Sequence, residues 1–388
     1  MPTLVWAAAL IRYGLRRPLE RRPGGGSVTV AGLHGSIVGI GQGARATAAA
    51  LKDAGVATYD WDLSAIFHHP RKIEMGDPSP PEAGPGVIIV QMNAIELVTL
   101  VALKGRAPFA GKRCIGYWAW ELETIPKAWR PAFRYVDEIW TPSDFTSAAI
   151  RRAAPRRVRV RTVHHPVPRP QGEADRARFG WPDHGVAVLS ALDIRSGMAR
   201  KNPFAAIAAF RQATRDDPRK AFLVLKIGGI QGNEALFEAI RQEASDPNIH
   251  ILTESLDEAD RDRLVLSADI LLSLHRSEGF GLMLAEAMLA GKAVIATDWS
   301  GNLDFMDRDS AALVPATLIP VADPQNLFTH GRWADPDVEV AAGHLRRLIE
   351  DPVERRRLGA AARVHAERVL DGDVIGRGMA EAVRAALI

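Results

Sequence analysis

Cysteine is almost missing: Cys114 is the only one in 388 residues. An intramolecular disulfide is therefore excluded, as are zinc sites built on several cysteines. One thiol in so long a chain fits a reducing compartment, so a cytoplasmic setting is expected. Long hydrophobic runs are missing too. The N-terminal apolar stretch Leu4 to Ile11 is far shorter than the ~20 residues that cross a bilayer. It does not read as a secretory signal, because its positive charges follow the apolar residues and Gly-rich sequence comes next. A large net charge is also lacking, at +3. No helix-turn-helix pattern or aromatic-interleaved basic motif is visible, so no nucleic-acid partner is expected.

What is present is the composition of a globular protein with full cores, 47% hydrophobic and 24% charged. The length suits two domains. Basic residues gather in two places. One is Arg12, Arg16, Arg17, Arg21 and Arg22; the other runs from Arg151-Arg152 through Arg156-Arg157, Arg159 and Arg161. Such patches suit anionic phosphates or an anionic membrane surface. They suit solvated helix faces and a charge-guarded strand edge equally well. The N-terminal stretch with Trp6 and Tyr13 reads either as a helix lying on a membrane or as one packed on the first domain.

Short apolar runs alternate with helical stretches along the chain. Ser27 to Leu33, Val87 to Met92, Arg113 to Trp118 and Glu138 to Trp140 read as strands, with helices at Ala44 to Ala54 and Phe145 to Ala153. The second half repeats this with strands at Val186 to Leu192, Ala221 to Ile227, Ile249 to Thr253, Ile270 to Leu274, Ala293 to Thr297 and Ala311 to Val314. Such alternation predicts parallel α/β sheets. The Pro-rich stretch Val167 to Gly172 reads as a linker. The expected organisation is an N-terminal segment 1–26, a domain 27–168, a second domain 169–365 and a C-terminal helix 366–388 returning to the first domain. Two doubly wound domains face a cleft in this reading, with ligands outside the carboxyl ends of the strands.

The strongest chemical signal is the segment Ser277 to Gly291. It follows the buried strand directly and opens a helix. Gly279 and Gly281 have no side chains to block a ligand. The first amides of the helix carry the positive end of its dipole, which suits a diphosphate. Glu278 precedes the helix and Glu286 lies two turns inside it. Each carboxylate can accept two hydrogen bonds from vicinal hydroxyls, as a hexose or a ribose offers. Taken singly, Glu286 reads as a buried glutamate paired with an arginine, and Glu278 as a cap.

Glu278 and Glu286 with seven residues between them resemble the E-x7-E motif of retaining GT-B glycosyltransferases, specifically glycosyltransferase family 4. Gly279-Phe280-Gly281, Glu286-Ala287-Met288, Gly291 and Ser300-Gly301-Asn302 fit the same pattern. The resemblance implies a GT-B fold of two Rossmann-like domains. It places Glu278 on donor-sugar hydroxyls, Glu286 on the nucleotide ribose, and the amides of Gly279, Phe280, Gly281 and Leu282 on the diphosphate. It also implies a basic pair after the first strand of the second domain. Lys201 and Arg195 fall at that spacing, with Arg200 beside them, and fixed cations there stabilise a departing nucleotide.

The first domain matches less tightly. Gly39, Gly41 and Gly43 open a helix and resemble the family's glycine-rich loop, with Arg45 aimed at a phosphate. Trp118, Trp120 and Glu121 stand where many relatives carry a histidine, with Trp120 offered to a sugar face and Glu121 to an active-site role. A rival reading starts from the same glycines. Gly39-x-Gly41-x-x-Ala44, with Asp60 and Asp62 about twenty residues on, satisfies the dinucleotide fingerprint of an NAD-dependent oxidoreductase. That reading gives Glu278 and Glu286 no role. Asp60-Trp61-Asp62 also spells the D-x-D of metal-dependent transferases, but reads more simply as an acidic turn. A non-catalytic nucleotide-sugar binder is a third reading. The expectation is hexosyl transfer from a GDP- or UDP-linked donor, mannose first, with no cofactor and no metal. The acceptor is expected to be a saccharide or lipid-linked saccharide, in polysaccharide or lipopolysaccharide synthesis, at or near the inner membrane face.

Overall fold

The computed structural model describes residues 26–75 and 79–387. The N-terminal basic and apolar segment lies outside the described residues. The chain forms two compact units. One extends to Val167 and resumes at Leu370; the other is Pro168–Val369.

The first unit is built on six strands: β1 (Ser27–Gly32), β2 (Thr58–Asp62), β3 (Gly86–Val90), β4 (Lys112–Tyr117), β5 (Glu138–Thr141) and β6 (Arg159–Thr162). They lie in the order β2-β1-β3-β4-β5-β6, every neighbouring pair parallel. The sequence Gly-Val-Ile-Ile-Val of β3 is buried throughout, the pattern of a strand covered on both faces. Helix Gly39–Asp53 covers one face. The C-terminal helix Gly372–Leu387 packs beside it, sharing a core of Met379, Ala380 and Val383 with Val28, Val30, Ala48 and Leu51. Gly376 permits the approach, since a Cβ there would stand 2.7 Å from the Ala50 carbonyl oxygen.

The second basic run is mostly engaged within this unit. Arg151 donates to the Val160 carbonyl, Arg152 to Glu123 and Arg157 to Phe133 and Val136, while Arg161 pairs with Glu138. These guanidiniums staple β6 and its flanks to the sheet. The strand-edge reading of the run therefore fits better than a ligand patch. No helix among the described residues is long and apolar enough to cross a membrane.

The second unit has strands β7 (Val186–Asp193), β8 (Ala221–Gly228), β9 (Ile249–Leu252), β10 (Ile270–Ser273), β11 (Ala293–Thr297) and β12 (Ala312–Val314). Their order is β12-β11-β10-β7-β8-β9, again parallel throughout. The chain starts in the middle, builds outward to β9, then returns to the other side of β7. The topological switch point is therefore the β7–β10 boundary, where loops leave the carboxyl ends in opposite directions. An antiparallel hairpin, β13 (Ala316–Pro320) with β14 (Arg332–Pro336), was not expected from the sequence. Expected strand ends fall within one or two residues of those observed. The C-terminal helix expected at 366–388 is Gly372–Leu387, and a separate helix, Pro352–Val369, precedes it in the other unit.

Candidate active site

Three loops meet at the carboxyl ends of β7, β10 and β11. The first carries Asp193 to Lys201, the second His275 to Gly281, the third Asp298 to Asn302. Glu278 stands at their centre, only 7% exposed. Lys201 Nζ lies 2.5 Å from its Oε1, and Arg200 Nη1 lies 3.1 Å from its Oε2. Arg200 is itself buried. It donates to the Ser277 carbonyl at 2.7 Å and to the Ser196 carbonyl at 2.9 Å, with its guanidinium over the Phe328 ring. Burial alone would raise the Glu278 carboxyl. The charges of Lys201 and Arg200 outweigh it and hold the pKa at about 2. Glu278 is thus a fixed anion flanked by two fixed cations.

The loops are stiffened at unusual backbone positions. Asn202, next to Lys201, has φ +54°, and its side chain donates to the Leu274 carbonyl at 3.0 Å. Gly281, with φ +101°, turns the chain into helix Leu282–Leu289. That helix carries no side-chain cap hydrogen bond at its N-terminus. Gly291 ends the motif at φ +72°, and a Cβ at Gly359 would stand 2.2 Å from its carbonyl oxygen. The two glycines let helix Pro352–Val369 press against the motif helix.

The structure sorts the expected residues. Glu278, Lys201 and Arg200 converge. Glu286 is buried on the motif helix, with Arg261 Nη2 at 3.5 Å, so the arginine-paired reading of this glutamate is realised. That pairing leaves room for both of its readings, since a carboxylate has several acceptor sites. Arg195 does not join the cluster. Its fork closes on Asp193, with Nη2 to Oδ2 at 2.6 Å and Nε to Oδ1 at 3.0 Å. Gly279 is buried beside Glu278, and Leu282 is the first residue of the helix. The Phe280 ring faces Phe305 at 4.8 Å, so its side chain belongs to the core and only its backbone is left for a ligand.

In the first unit, Gly39, Gly41 and Gly43 lie in the opening turns of helix Gly39–Asp53. A Cβ on Gly41 would meet the carbonyl oxygens of Leu33 and Ser36 at 2.4 and 2.5 Å. Arg45, expected to aim at a phosphate, donates through Nη1 to the carbonyls of His34 and Ser36 at 2.7 Å each. Trp118 is fully buried. Trp120 is half-buried, donates to the Thr124 carbonyl at 2.8 Å and meets Trp129 edge-on at 5.0 Å, an aromatic cluster in place of an open platform. Glu121 lies just beyond β4, half-buried. Six residues separate the end of β1 from Gly39, so these glycines are not at the strand end that a dinucleotide turn requires. Asp62 accepts from Gly35 N, Ser64 N and Ser64 Oγ and pairs with Arg71, while Asp60 pairs with Lys52. Both acids serve local structure.

Sequence reading missed His275. It is fully buried; its Nε2–H donates to Asn302 Oδ1 at 3.1 Å, and its Nδ1 accepts from Ser273 Oγ at 3.0 Å. Burial pushes its pKa down, so it is neutral in the fold. Its position three residues before Glu278 was the available signal.

Comparison with known proteins agrees with this geometry. Residues 192–365 match the family described as Glycosyl transferases group 1, a span that contains the last two residues of β7, all of β10 and β11, and the three loops. A phosphatidyl-myo-inositol mannosyltransferase of Mycolicibacterium smegmatis is 29% identical over 173 residues, 44% of this chain and 42% of that protein. A D-inositol 3-phosphate glycosyltransferase of Jonesia denitrificans is 27% identical over 206 residues, 52% of this chain and 44% of that protein. The chain thus spans less than half the length of these curated relatives. Among solved structures, HepE of Anabaena in complex with UDP-glucose superposes with a TM-score of 0.66 at 15% identity, over 92% of this chain and 99% of that one. Sucrose-phosphate synthase of Thermosynechococcus elongatus gives 0.64 at 15% identity, over 93% and 99%. The two doubly wound sheets are those of the GT-B fold, and residues 192–365 are similar to a group 1 glycosyltransferase domain.

Proposed function

We propose that this protein is a retaining glycosyltransferase that moves a hexose from a nucleotide-diphosphate donor to a saccharide or lipid-linked acceptor. The observation that carries this reading is Glu278, held ionised by Lys201 and Arg200 at the switch point of the second sheet. A buried carboxylate suits vicinal sugar hydroxyls. Two cations against one anion leave one positive charge for a diphosphate. The uncapped helix start at Leu282 adds its dipole in the same sense. In this reading the amides of Gly279 to Leu282 take the diphosphate, Glu286 takes the ribose, and Lys201 stabilises the charge that grows on the leaving nucleotide.

Fixed cations supply that charge without a bound metal, so transfer is proposed to be metal-independent and to need no cofactor. Mannose as the sugar and a lipid-linked acceptor are supported by the name of the Mycolicibacterium relative. A UDP-linked donor is supported by the ligand of the Anabaena structure, and GDP-mannose and UDP-hexoses are both retained as candidate donors. A cytoplasmic enzyme of polysaccharide or lipopolysaccharide assembly, working at the inner membrane face, fits these substrates. Retention follows from the E-x7-E resemblance.

The test is a thermal-shift screen of nucleotides and nucleotide sugars, followed by NMR of the product formed with the best donor. A ligand that binds only the native state raises the melting temperature. Melting unmoved by every UDP, GDP and ADP sugar removes the reading; an inverted anomeric product removes retention; activity lost with chelator and restored by manganese removes metal independence.

A further inference from the structure

Ser300 occupies a backbone conformation that serine avoids. Its φ is +80° and its ψ −152°. This region is essentially reserved for glycine, because a Cβ there crowds the neighbouring backbone. The residue is buried and follows β11 in the loop that faces Glu278. Glycine at this position would remove the strain, so the serine side chain must contribute something that offsets it.

That contribution is visible in its hydrogen bonds. The backbone N–H of Glu278 donates to Ser300 Oγ at 2.8 Å. The next residue, Gly301, donates its N–H to the Glu278 carbonyl at 3.0 Å. Both backbone groups of Glu278 are thereby held by one loop. Ser300 Oγ in turn faces Asn302 Oδ1 at 3.4 Å, which lies 3.1 Å from His275 Nε2. Asn302 Nδ2 donates to the Thr297 carbonyl at 3.1 Å, and Thr297 Oγ1 donates to the His275 carbonyl at 2.6 Å. The chain His275–Asn302–Ser300 is neutral and buried. It adds no charge to the site, and it ends on the one backbone N–H that fixes where the Glu278 carboxylate starts.

We infer that Ser300 is a positioning residue, kept in a strained conformation so that its hydroxyl anchors Glu278 for contact with the donor sugar. It touches the Glu278 backbone, not the reacting atoms. The inference rests on the donor-binding reading of Glu278 given above. It has an unusual signature, because fold stability and sugar recognition respond to its loss in opposite directions. Replacement by glycine relieves the backbone and removes the anchor.

The experiment compares Ser300→Gly and Ser300→Ala with the parental chain and with Glu278→Gln. Binding of UDP-glucose, UDP, GDP-mannose and GDP is measured by calorimetry, and unfolding midpoints in urea are measured in parallel. For Ser300→Gly, the nucleotide sugar recognised by the parental chain should bind roughly tenfold more weakly, as expected for one lost anchoring hydrogen bond. Its free nucleoside diphosphate should bind within about twofold of parental, and the unfolding midpoint should be unchanged or raised. Ser300→Ala keeps the strain, so it should show the same binding loss with a lower midpoint. Equal weakening of the nucleotide sugar and the nucleotide would overturn the inference, as would parental binding of both. A lowered midpoint in Ser300→Gly would overturn it too. If the parental chain binds no nucleotide sugar, or Glu278→Gln binds it as well as the parent, the functional reading itself fails first.

Discussion

Lys201 and Glu278 are 77 residues apart in the chain, yet Nζ and Oε1 lie 2.5 Å apart. Helix Met198–Lys201 ends one loop, and the turn before helix Leu282–Leu289 forms another. The parallel pairing of β7 with β10 brings these loops together. Lys201→Met should therefore act on chemistry more than on folding. Transfer from the preferred nucleotide sugar should fall by roughly 100-fold or more, the scale of losing one fixed charge at a leaving group. Stability should fall by only about 1–3 kcal/mol, because Arg200 still pairs Glu278. Steady-state kinetics and urea unfolding on one preparation test both halves. A variant that unfolds readily but turns over normally would contradict the assignment.

Glu278 also fixes an acid limit. Its carboxyl titrates at about 2 in the fold, against an ordinary value of 4.5. The folded state binds its proton less readily than the unfolded state, so the ion pair contributes fully above pH 4.5. That contribution is lost as pH falls from there toward 2. The shift corresponds to about 3 kcal/mol. Glu278→Gln carries none of it. The stability gap between parent and variant should be constant from neutral pH down to about 5 and then close as acid is added. Urea unfolding at stepped pH values measures it. A gap that stays constant to pH 2 removes the strong ion pair.

Much of the fold was readable because parallel strands buried on both faces are short, continuous apolar runs. Ala293–Thr297 coincides with its expected bounds. The β13–β14 hairpin was not readable. Its partly exposed residues lack a two-residue period, and prolines close both strands. In the candidate site, Glu278 and Lys201 were legible through the E-x7-E resemblance and the basic pair it implies; taken singly, a glutamate before a helix reads as a cap. Direction was not encoded locally. Nothing in Asp193 to Lys201 tells that Arg195 folds back on Asp193 while Arg200 turns inward. That choice depends on the Ser277 and Ser196 carbonyls and the Phe328 ring. Ser300 is hidden for the same reason, because its positive φ is imposed by contacts 22 residues away in sequence. For Arg45 and Trp120 the sequence does not separate a ligand-facing role from a packing role, because both use the same residue types.

The contrast between the two arginines gives a direct test. Arg195 is half-exposed and holds Asp193 in a local fork; Arg200 is 2% exposed and bridges two loops. Arg195→Ala should lower kcat/KM less than about fivefold and leave stability nearly unchanged, as for other exposed ion pairs. Arg200→Ala should cost roughly 100-fold or more and destabilise by about 3–5 kcal/mol, because it strands buried carbonyls and halves the charge around Glu278. Initial rates of both variants across donor concentrations, giving kcat/KM, settle the order. If Arg195→Ala proves the more damaging, its fork must open onto the substrate during the reaction.

Gly41 and Gly43 separate packing from ligand access in the first unit. A Cβ on Gly41 would press on two backbone carbonyls, those of Leu33 and Ser36, which have nowhere to move. A Cβ on Gly43 would meet the Gln91 amide nitrogen at 2.7 Å and His165 Cε1 at 3.4 Å, and both are side chains able to shift. Gly41→Ala should therefore destabilise by about 1–3 kcal/mol through overpacking. Gly43→Ala should fold with a midpoint near parental. If Gly43 serves a ligand as the glycine-rich loop is expected to, that variant alone will fold normally and lose activity. Matching losses of stability in both would assign the whole Gly39 to Gly43 turn to packing.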